Sequence, residues 1–138
     1  MKLELAAGKL DKIPNSNVSS TSSEIVLVVD DDPDIRDALC ELLEAEGYRA
    51  ASAANGQEAL TYLNSKGPPC VILLDLMMPI MDGWEFRRQQ QGDPRWSKIP
   101  VVVITAAGKY GADSITADCI LPKPLQLEHV LEALHQYC

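Results

Sequence analysis

The sequence predicts an α/β fold in which a parallel sheet of five strands is covered by helices on both faces. Short apolar segments, such as residues 25–29 and 71–74, have the length and composition of strands that are buried on both sides. Amphipathic segments with helical spacing follow them after short loops. Because parallel strands need crossover connections, this alternation specifies a doubly wound sheet with right-handed crossovers and about five helices.

The first strand leads directly into a helix. Asp32 is a favourable N-cap, Pro33 is favourable at the first helical position, and Gly47 ends the segment. The expected apolar face consists of aliphatic residues at helical spacing, which are Ile35, Leu39, Leu42 and Leu43.

Two further helices begin at capping boxes, Asn55 to Glu58 and Asp82 to Glu85. A weak strand at 48–53 precedes the first of them, and two apolar strands at 99–104 and 119–121 follow the second. The final helix has one apolar face, formed by Leu127, Val130, Leu131 and Leu134.

Composition limits the classes of protein that fit. The chain has 138 residues, 46% of them hydrophobic, and its net charge is −8. This acidity disfavours nonspecific binding to nucleic acid or anionic membranes, and no segment has transmembrane length. We expect a soluble, cytoplasmic protein with a domain at 24–138. Residues 1–23, which are polar and rich in serine at 14–23, are expected to be a flexible N-terminal extension, either a natural tether or residues left from expression.

Four cysteines lie in separate segments without a C-x-x-C pair, at Cys40, Cys70, Cys119 and Cys138. Zinc and redox motifs have a different spacing, and two of the cysteines fall in apolar stretches. We therefore expect reduced thiols.

Polar side chains follow each strong strand. Asp30 and Asp31 follow the first, Asp75 the third, Thr105 the fourth and Lys123 the fifth. Because the carboxyl ends of parallel strands share one edge of a sheet, these side chains should converge there, where ligands bind in open α/β sheets. The sequence thus predicts a functional site.

The segments that carry these residues resemble the receiver domains of two-component response regulators. The matching motifs are Val28-Val29-Asp30-Asp31-Asp32-Pro33, Leu74-Asp75-Leu76-Met77-Met78-Pro79-Ile80-Met81-Asp82-Gly83, Ile104-Thr105-Ala106 and Lys123-Pro124. They occur in the same order as in the family, from about residue 24 to the end.

The resemblance implies a flavodoxin-like doubly wound five-stranded parallel sheet of order 2-1-3-4-5 with helices on both faces. It also implies a role for each site residue. Asp75 is the implied phosphoacceptor, Asp30 and Asp31 the acid pair that holds Mg²⁺, and Thr105 and Lys123 the contacts of the phosphoryl group. Met77 corresponds to the position whose backbone carbonyl binds the metal together with Asp75.

The residue types independently favour a magnesium site. Two carboxylates about 5 Å apart repel by roughly 3 kcal/mol at an effective dielectric constant near 20, so a cluster of three favours a bound cation. Oxygen ligands without histidine or cysteine suit a hard ion such as Mg²⁺.

As implied by the family, the chain is a bacterial signalling module and not a turnover enzyme. A phosphohistidine on a histidine kinase or histidine phosphotransfer protein would donate the phosphoryl group to Asp75, and the acyl phosphate would alter binding to a downstream protein, with a homodimer left open. His129 and His135, both on the last helix, are expected to be surface or packing residues.

Two alternatives share the fold. One is an interaction scaffold that has lost the chemistry, against which the complete set of acids, threonine and lysine argues. The other is a flavodoxin, whose phosphate loop after the first strand would be hydroxyl- and glycine-rich, whereas the acids here would repel phosphate.

A third alternative is a haloacid-dehalogenase-like phosphatase with Asp30 as nucleophile and Asp32 as acid. That class has an insertion after the acid pair and a further acidic motif after the lysine. Here Pro33 starts a helix at once, and nothing acidic follows Lys123 before Glu128.

The sequence departs from the family at several positions. The glycine-broken segment between Thr105 and Lys123 predicts a short or irregular helix before the last strand. Ile120 and Leu125 stand where many receivers have aromatic residues. Met77 and Ala107, both apolar, flank the expected phosphoryl site, which predicts a long-lived acyl phosphate. The family also implies a cis bond between Lys123 and Pro124.

Overall fold

The structure, a computed structural model, describes residues 25–106, 115 and 117–138. The predicted N-terminal extension at 1–23 lies outside the described residues. So does most of the segment for which a short or irregular helix was predicted. Among the described residues no helix combines the length and the apolar character needed to cross a membrane.

Five parallel strands form one sheet in the order β2-β1-β3-β4-β5, which confirms the predicted topology. The strands are β1 Ile25–Val29, β2 Arg49–Ala53, β3 Val71–Asp75, β4 Val101–Ala106 and β5 Cys119–Lys123. The described part of the chain contains four helices: α1 Pro33–Ala45, α2 Gly56–Lys66, α3 Gly83–Gln91 and α4 Leu127–Tyr137.

Each face of the sheet has its own apolar core, because successive side chains of a strand point to opposite faces. Leu27 and Val29 of β1 pack with residues of α2 and α3, such as Leu63 and Phe86. Val26 and Val28 pack with residues of α1 and α4. All five residues of β3 are buried, as expected for the central strand of such a sheet.

The helix caps follow the predicted positions. Asp32 accepts hydrogen bonds from the backbone N–H groups of Asp34 and Ile35, at 2.9 and 3.4 Å. Asn55 accepts one from Glu58 at 2.9 Å. The reciprocal bond differs from the capping box, because the Glu58 carboxylate accepts from Ala54 N–H at 2.8 Å, one residue before the cap.

The second capping box forms only in part. Asp82 accepts from Glu85 N–H at 2.9 Å, as predicted. The Glu85 carboxylate instead pairs with Arg88 along the helix. This ion pair between residues three apart competes with the hydrogen bond that the Glu85 carboxylate would accept from the backbone at the N-cap.

The predicted apolar face of α1 is wrong at one position. Leu39 and Leu43 are buried, but the Leu42 side chain is 43% exposed. The apolar face of this helix is therefore narrower than the sequence indicates. On α4, the buried residues are Val130, Ala133 and Leu134.

The prediction of four reduced cysteines is wrong for two of them. Cys70 and Cys138 form a disulfide with a Cα–Cα distance of 5.4 Å, within the usual range for such bonds. They are 68 residues apart in sequence, and the fold brings the end of α4 beside the start of β3. Cys40 and Cys119 are free and half-buried.

Candidate functional site

A cavity of about 280 Å³ lies at the carboxyl edge of the sheet, where β1 and β3 run side by side and the strand order reverses. Ligands of open α/β sheets bind at such switch points. The cavity is lined by all six predicted site residues together with three others: Asp30, Asp31, Asp32, Ile35, Asp75, Met77, Thr105, Ala106 and Lys123.

Asp75 is the last residue of β3, and only 5% of its surface is exposed. The chain folds back over the end of this strand, because Gly83 N–H donates to the Leu76 carbonyl at 2.9 Å. A Cβ atom at position 83 would lie 2.6 Å from the Asp75 carbonyl oxygen, so this close approach requires glycine. Gly83 thereby allows the loop after Asp75 to pack closely against the end of β3.

Lys123 lies opposite Asp75 at the end of β5. Its Nζ atom is 3.4 Å from Asp75 Oδ1 and 3.9 Å from Asp30 Oδ2. The Lys123–Pro124 peptide bond is cis, which confirms the expectation. One ammonium therefore faces two buried carboxylates.

Asp30 and Asp31 follow β1 and differ in exposure. Asp30 is 3% exposed and accepts a hydrogen bond from Asp32 N–H at 2.9 Å, whereas Asp31 is exposed. One carboxylate oxygen from each of Asp30, Asp31 and Asp75 lies within 4.8 Å of the other two. This all-oxygen donor set fits a hard divalent cation such as Mg²⁺.

Burial is the largest cause of the pKa shifts of Asp30 and Asp75, the two buried carboxyls of the site. It raises the pKa of Asp75, the neighbouring Asp30 charge raises it further, and the Lys123 ammonium partly opposes both effects. Burial likewise raises the pKa of Asp30, against the hydrogen bond from Asp32 N–H and the charge of Lys123. In the absence of a cation, the folded site thus disfavours its own negative charges.

Thr105 and Met77 border the same cavity. Thr105 is buried within β4, and its hydroxyl donates a long hydrogen bond of 3.4 Å to the Ala106 carbonyl. A bond of that length is weak, so the hydroxyl loses little by turning to another acceptor. The Met77 side chain is 54% exposed and places an apolar group at the rim.

Sequence reasoning missed several neighbours of these residues. Ile35 and Ala106 line the cavity, and Arg36 donates from Nη1 to the Asp30 carbonyl at 2.7 Å. The signal for Ile35 and Arg36 was the short loop between β1 and α1, which places the first turn of α1 beside the acids. Ala106 lines the cavity because it directly follows Thr105 at the end of β4. His129 and His135 are exposed on α4, as predicted.

The sequence model of the response regulator receiver domain matches residues 26–135. The chain belongs to this family. Among curated proteins, the chain is 36% identical to the response regulator Rre1 of Synechocystis over 115 residues, which cover 79% of this chain. The match spans about half of Rre1, 48% of its length.

Solved receiver structures share the fold. The chemotaxis response regulator CheY4 of Vibrio cholerae has a TM-score of 0.74 at 29% identity, covering 85% of this chain and all of CheY4. The receiver domain of sensor histidine kinase PA1611 from Pseudomonas aeruginosa has a TM-score of 0.76 at 22% identity, covering 84% of this chain and 98% of that domain. That domain was crystallised with a magnesium ion in its active site cleft.

Proposed function

We propose that this receiver domain accepts a phosphoryl group on Asp75 from a phosphohistidine and that the acyl phosphate changes its binding to a downstream protein. The observation that carries the proposal is the buried Asp75 carboxylate, which lines a cavity with Lys123 Nζ at 3.4 Å and two further acids within 4.8 Å. The donor would be a histidine kinase or histidine phosphotransfer protein. The chain spans about half the length of Rre1.

The reaction is a displacement at phosphorus by the carboxylate. An Asp75 oxygen forms a bond to phosphorus, and the bond between phosphorus and the donor histidine nitrogen breaks. The histidine nitrogen leaves with the electron pair. Burial raises the pKa of Asp75, which makes its carboxylate more basic than an exposed one.

Lys123 and Thr105 would stabilise the charge on the transferred group. The Lys123 ammonium already faces Asp75 at 3.4 Å and can follow the negative charge onto the phosphoryl oxygens. The Thr105 hydroxyl would exchange its weak bond to Ala106 for a bond to one of those oxygens.

Magnesium is the proposed cofactor. Asp30, Asp31 and Asp75 would hold it with their carboxylates, and Met77 with its backbone carbonyl. When bound, Mg²⁺ supplies positive charge that neutralises the acid cluster and the transferring oxygens.

The phosphatase alternative meets a structural obstacle. It needs the Asp32 carboxylate as an acid, but this side chain caps α1 by accepting from two backbone N–H groups. Releasing it would cost roughly 1 kcal/mol of helix stability. Asp75, in contrast, is the last residue of its strand and lies in the cavity beside Lys123.

The proposal is tested by intact mass spectrometry after incubation with acetyl phosphate. The wild type and an Asp37→Asn variant, which loses an exposed acid of α1, should gain about 80 Da with Mg²⁺ and nothing with EDTA. Asp75→Asn should gain nothing in either buffer. An adduct of equal yield in Asp75→Asn, or none in the folded wild type, would refute the proposal.

A further inference from the structure

The disulfide between Cys70 and Cys138 joins the end of α4 to the start of the strand that carries Asp75. Cys70 directly precedes β3, and its N–H donates to the Ile25 carbonyl at 2.9 Å. Asp75 lies at the opposite end of this strand. The covalent bond therefore lies at the sheet edge opposite the functional site.

The two cysteine residues differ in exposure. Cys138 is exposed, whereas Cys70 is only partly exposed. Thiol–disulfide exchange begins with attack of a thiolate on a sulfur that it can reach, so access favours attack at Cys138 and departure of the Cys70 thiolate.

The surroundings of Cys70 also accommodate the reduced form. Its sulfur lies 3.4 Å from the Ile25 carbonyl oxygen, within reach of a hydrogen bond from a thiol. A reduced Cys70 would therefore not leave an unpaired polar group at this edge.

Helix α4 has contacts that do not depend on the disulfide. Val130, Ala133 and Leu134 are buried against the sheet, and the Tyr137 hydroxyl donates to the Asp118 carbonyl at 3.1 Å. Opening the bond should therefore loosen the last turn of α4 and leave the helix docked. The same fold would then have an oxidised and a reduced state that differ in the mobility of this helix end.

We propose that Cys70 and Cys138 form a reversible thiol–disulfide site whose substrates are dithiol reductants and small disulfides of the glutathione class. In reduction, a donor thiolate attacks Cys138 Sγ, the bond between the cysteines breaks, and Cys70 leaves as a thiolate that takes up a proton. A second donor thiolate then attacks the mixed disulfide and releases the Cys138 thiolate, which is protonated in turn. The donor becomes a disulfide, and each partner has exchanged two electrons.

The two possible roles of the bond belong to different compartments. Disulfides in reducing compartments are usually transient and act in catalysis or redox sensing. A permanent structural bond is more typical of secreted domains.

The test follows the bond in the full chain in a Cys40→Ser/Cys119→Ser background, which removes the other two thiols. Oxidised and reduced samples are incubated in glutathione buffers of varying ratio, alkylated and mapped by mass spectrometry, while circular dichroism monitors folding. Both samples should converge on the same disulfide fraction at each ratio, and this fraction should fall as the buffer becomes more reducing. A bond that opens only after unfolding, or that never forms in oxidised glutathione, would overturn the proposal.

Hydrogen exchange measures the structural consequence. Amides of residues 134–138 should exchange at least about tenfold faster in the reduced protein, and Cys138→Ser should match the reduced state in both buffers. Equal exchange in the two states would overturn the coupling to α4. Phosphorylation of Asp75 is measured separately, so failure of the thiol–disulfide proposal can be distinguished from failure of the proposed function.

Discussion

Replacing Asp30 with Asn should stabilise the receiver domain when no divalent cation is present. Asp30 is 3% exposed and shares a cluster with Asp31 and Asp75, and burial raises its pKa. The amide keeps an oxygen that can accept the hydrogen bond from Asp32 N–H. The substitution therefore removes a disfavoured charge and retains the main local contact.

The size of the effect follows from the distances. One carboxylate oxygen from each acid lies within 4.8 Å of the other two. At that separation and an effective dielectric constant of 20, two unscreened charges repel by about 3.5 kcal/mol, which is a lower bound for the repulsion of Asp30 by Asp31 and by Asp75 before screening. Lys123 Nζ at 3.9 Å returns about 4 kcal/mol of attraction. Asp31 is exposed and its contribution is screened. When the cost of desolvating the Asp30 charge is included, we expect the substitution to raise the unfolding free energy by about 1–3 kcal/mol.

The assay is urea unfolding followed by circular dichroism, in EDTA and in Mg²⁺. Asp30→Asn should unfold at higher urea than the wild type in EDTA, and Mg²⁺ should stabilise it less than it stabilises the wild type. The matched control is Asp37→Asn, which changes the net charge equally at an exposed position of α1. If Asp30→Asn is no more stable than the wild type in EDTA, the electrostatic reasoning is wrong.

Three further predictions concern the same edge of the sheet. Because the pKa values of Asp30 and Asp75 are raised, the unfolding free energy of the metal-free protein should increase as the pH falls toward the ordinary pKa of an unfolded aspartate. The affinity for Mg²⁺, measured by calorimetry, should decrease over the same range. A decrease in unfolding free energy in EDTA while the pH is still above that ordinary pKa would contradict this prediction. Met77→Asn should shorten the lifetime of the acyl phosphate by about tenfold, because the amide at this exposed position can orient an attacking water. The lifetime is measured as the rate of phosphate release. Release within seconds from the wild type would contradict the prediction of a long-lived acyl phosphate. Ile80 is 84% exposed at φ 70°, so Ile80→Gly should raise the unfolding free energy by about 1 kcal/mol in the same urea assay, and a loss of stability would exclude strain there.

The strand order and the convergence of the site residues could be predicted from the sequence because both follow from local patterns. Apolar runs mark the strands, and the rule that parallel strands share one carboxyl edge brings Asp30, Asp75, Thr105 and Lys123 together. The start of α1 could likewise be predicted from adjacent residues, because Asp32 is its N-cap. The resemblance then attached roles to these positions.

Other features depend on tertiary contacts that a local pattern does not contain. The pairing of Cys70 with Cys138 requires the end of α4 to meet the start of β3. Gln90 is fully buried although it belongs to a run of glutamines, because its amide donates to the carbonyls of Trp96 and Ile99 at 2.8 and 3.1 Å. Helical periodicity indicates neither Trp96 nor Ile99 as a partner of Gln90.

The turn after β3 is a third example. Met81 N–H donates to the Pro79 carbonyl at 2.7 Å, and Ile80 between them has a positive φ. This three-residue turn is strained, and a β-branched residue is the least expected choice for it. Local propensity therefore argues against the conformation that the surrounding loop imposes.

The most direct test of the account is to locate the phosphoryl group. Protein treated with acetyl phosphate and Mg²⁺ is reduced with borohydride, which converts the side chain of an aspartyl phosphate to that of homoserine, and is then mapped by peptide mass spectrometry. We expect homoserine at position 75 and unmodified aspartate at positions 30 and 31. Homoserine at position 30 would contradict the role proposed for Asp75 and favour the phosphatase alternative.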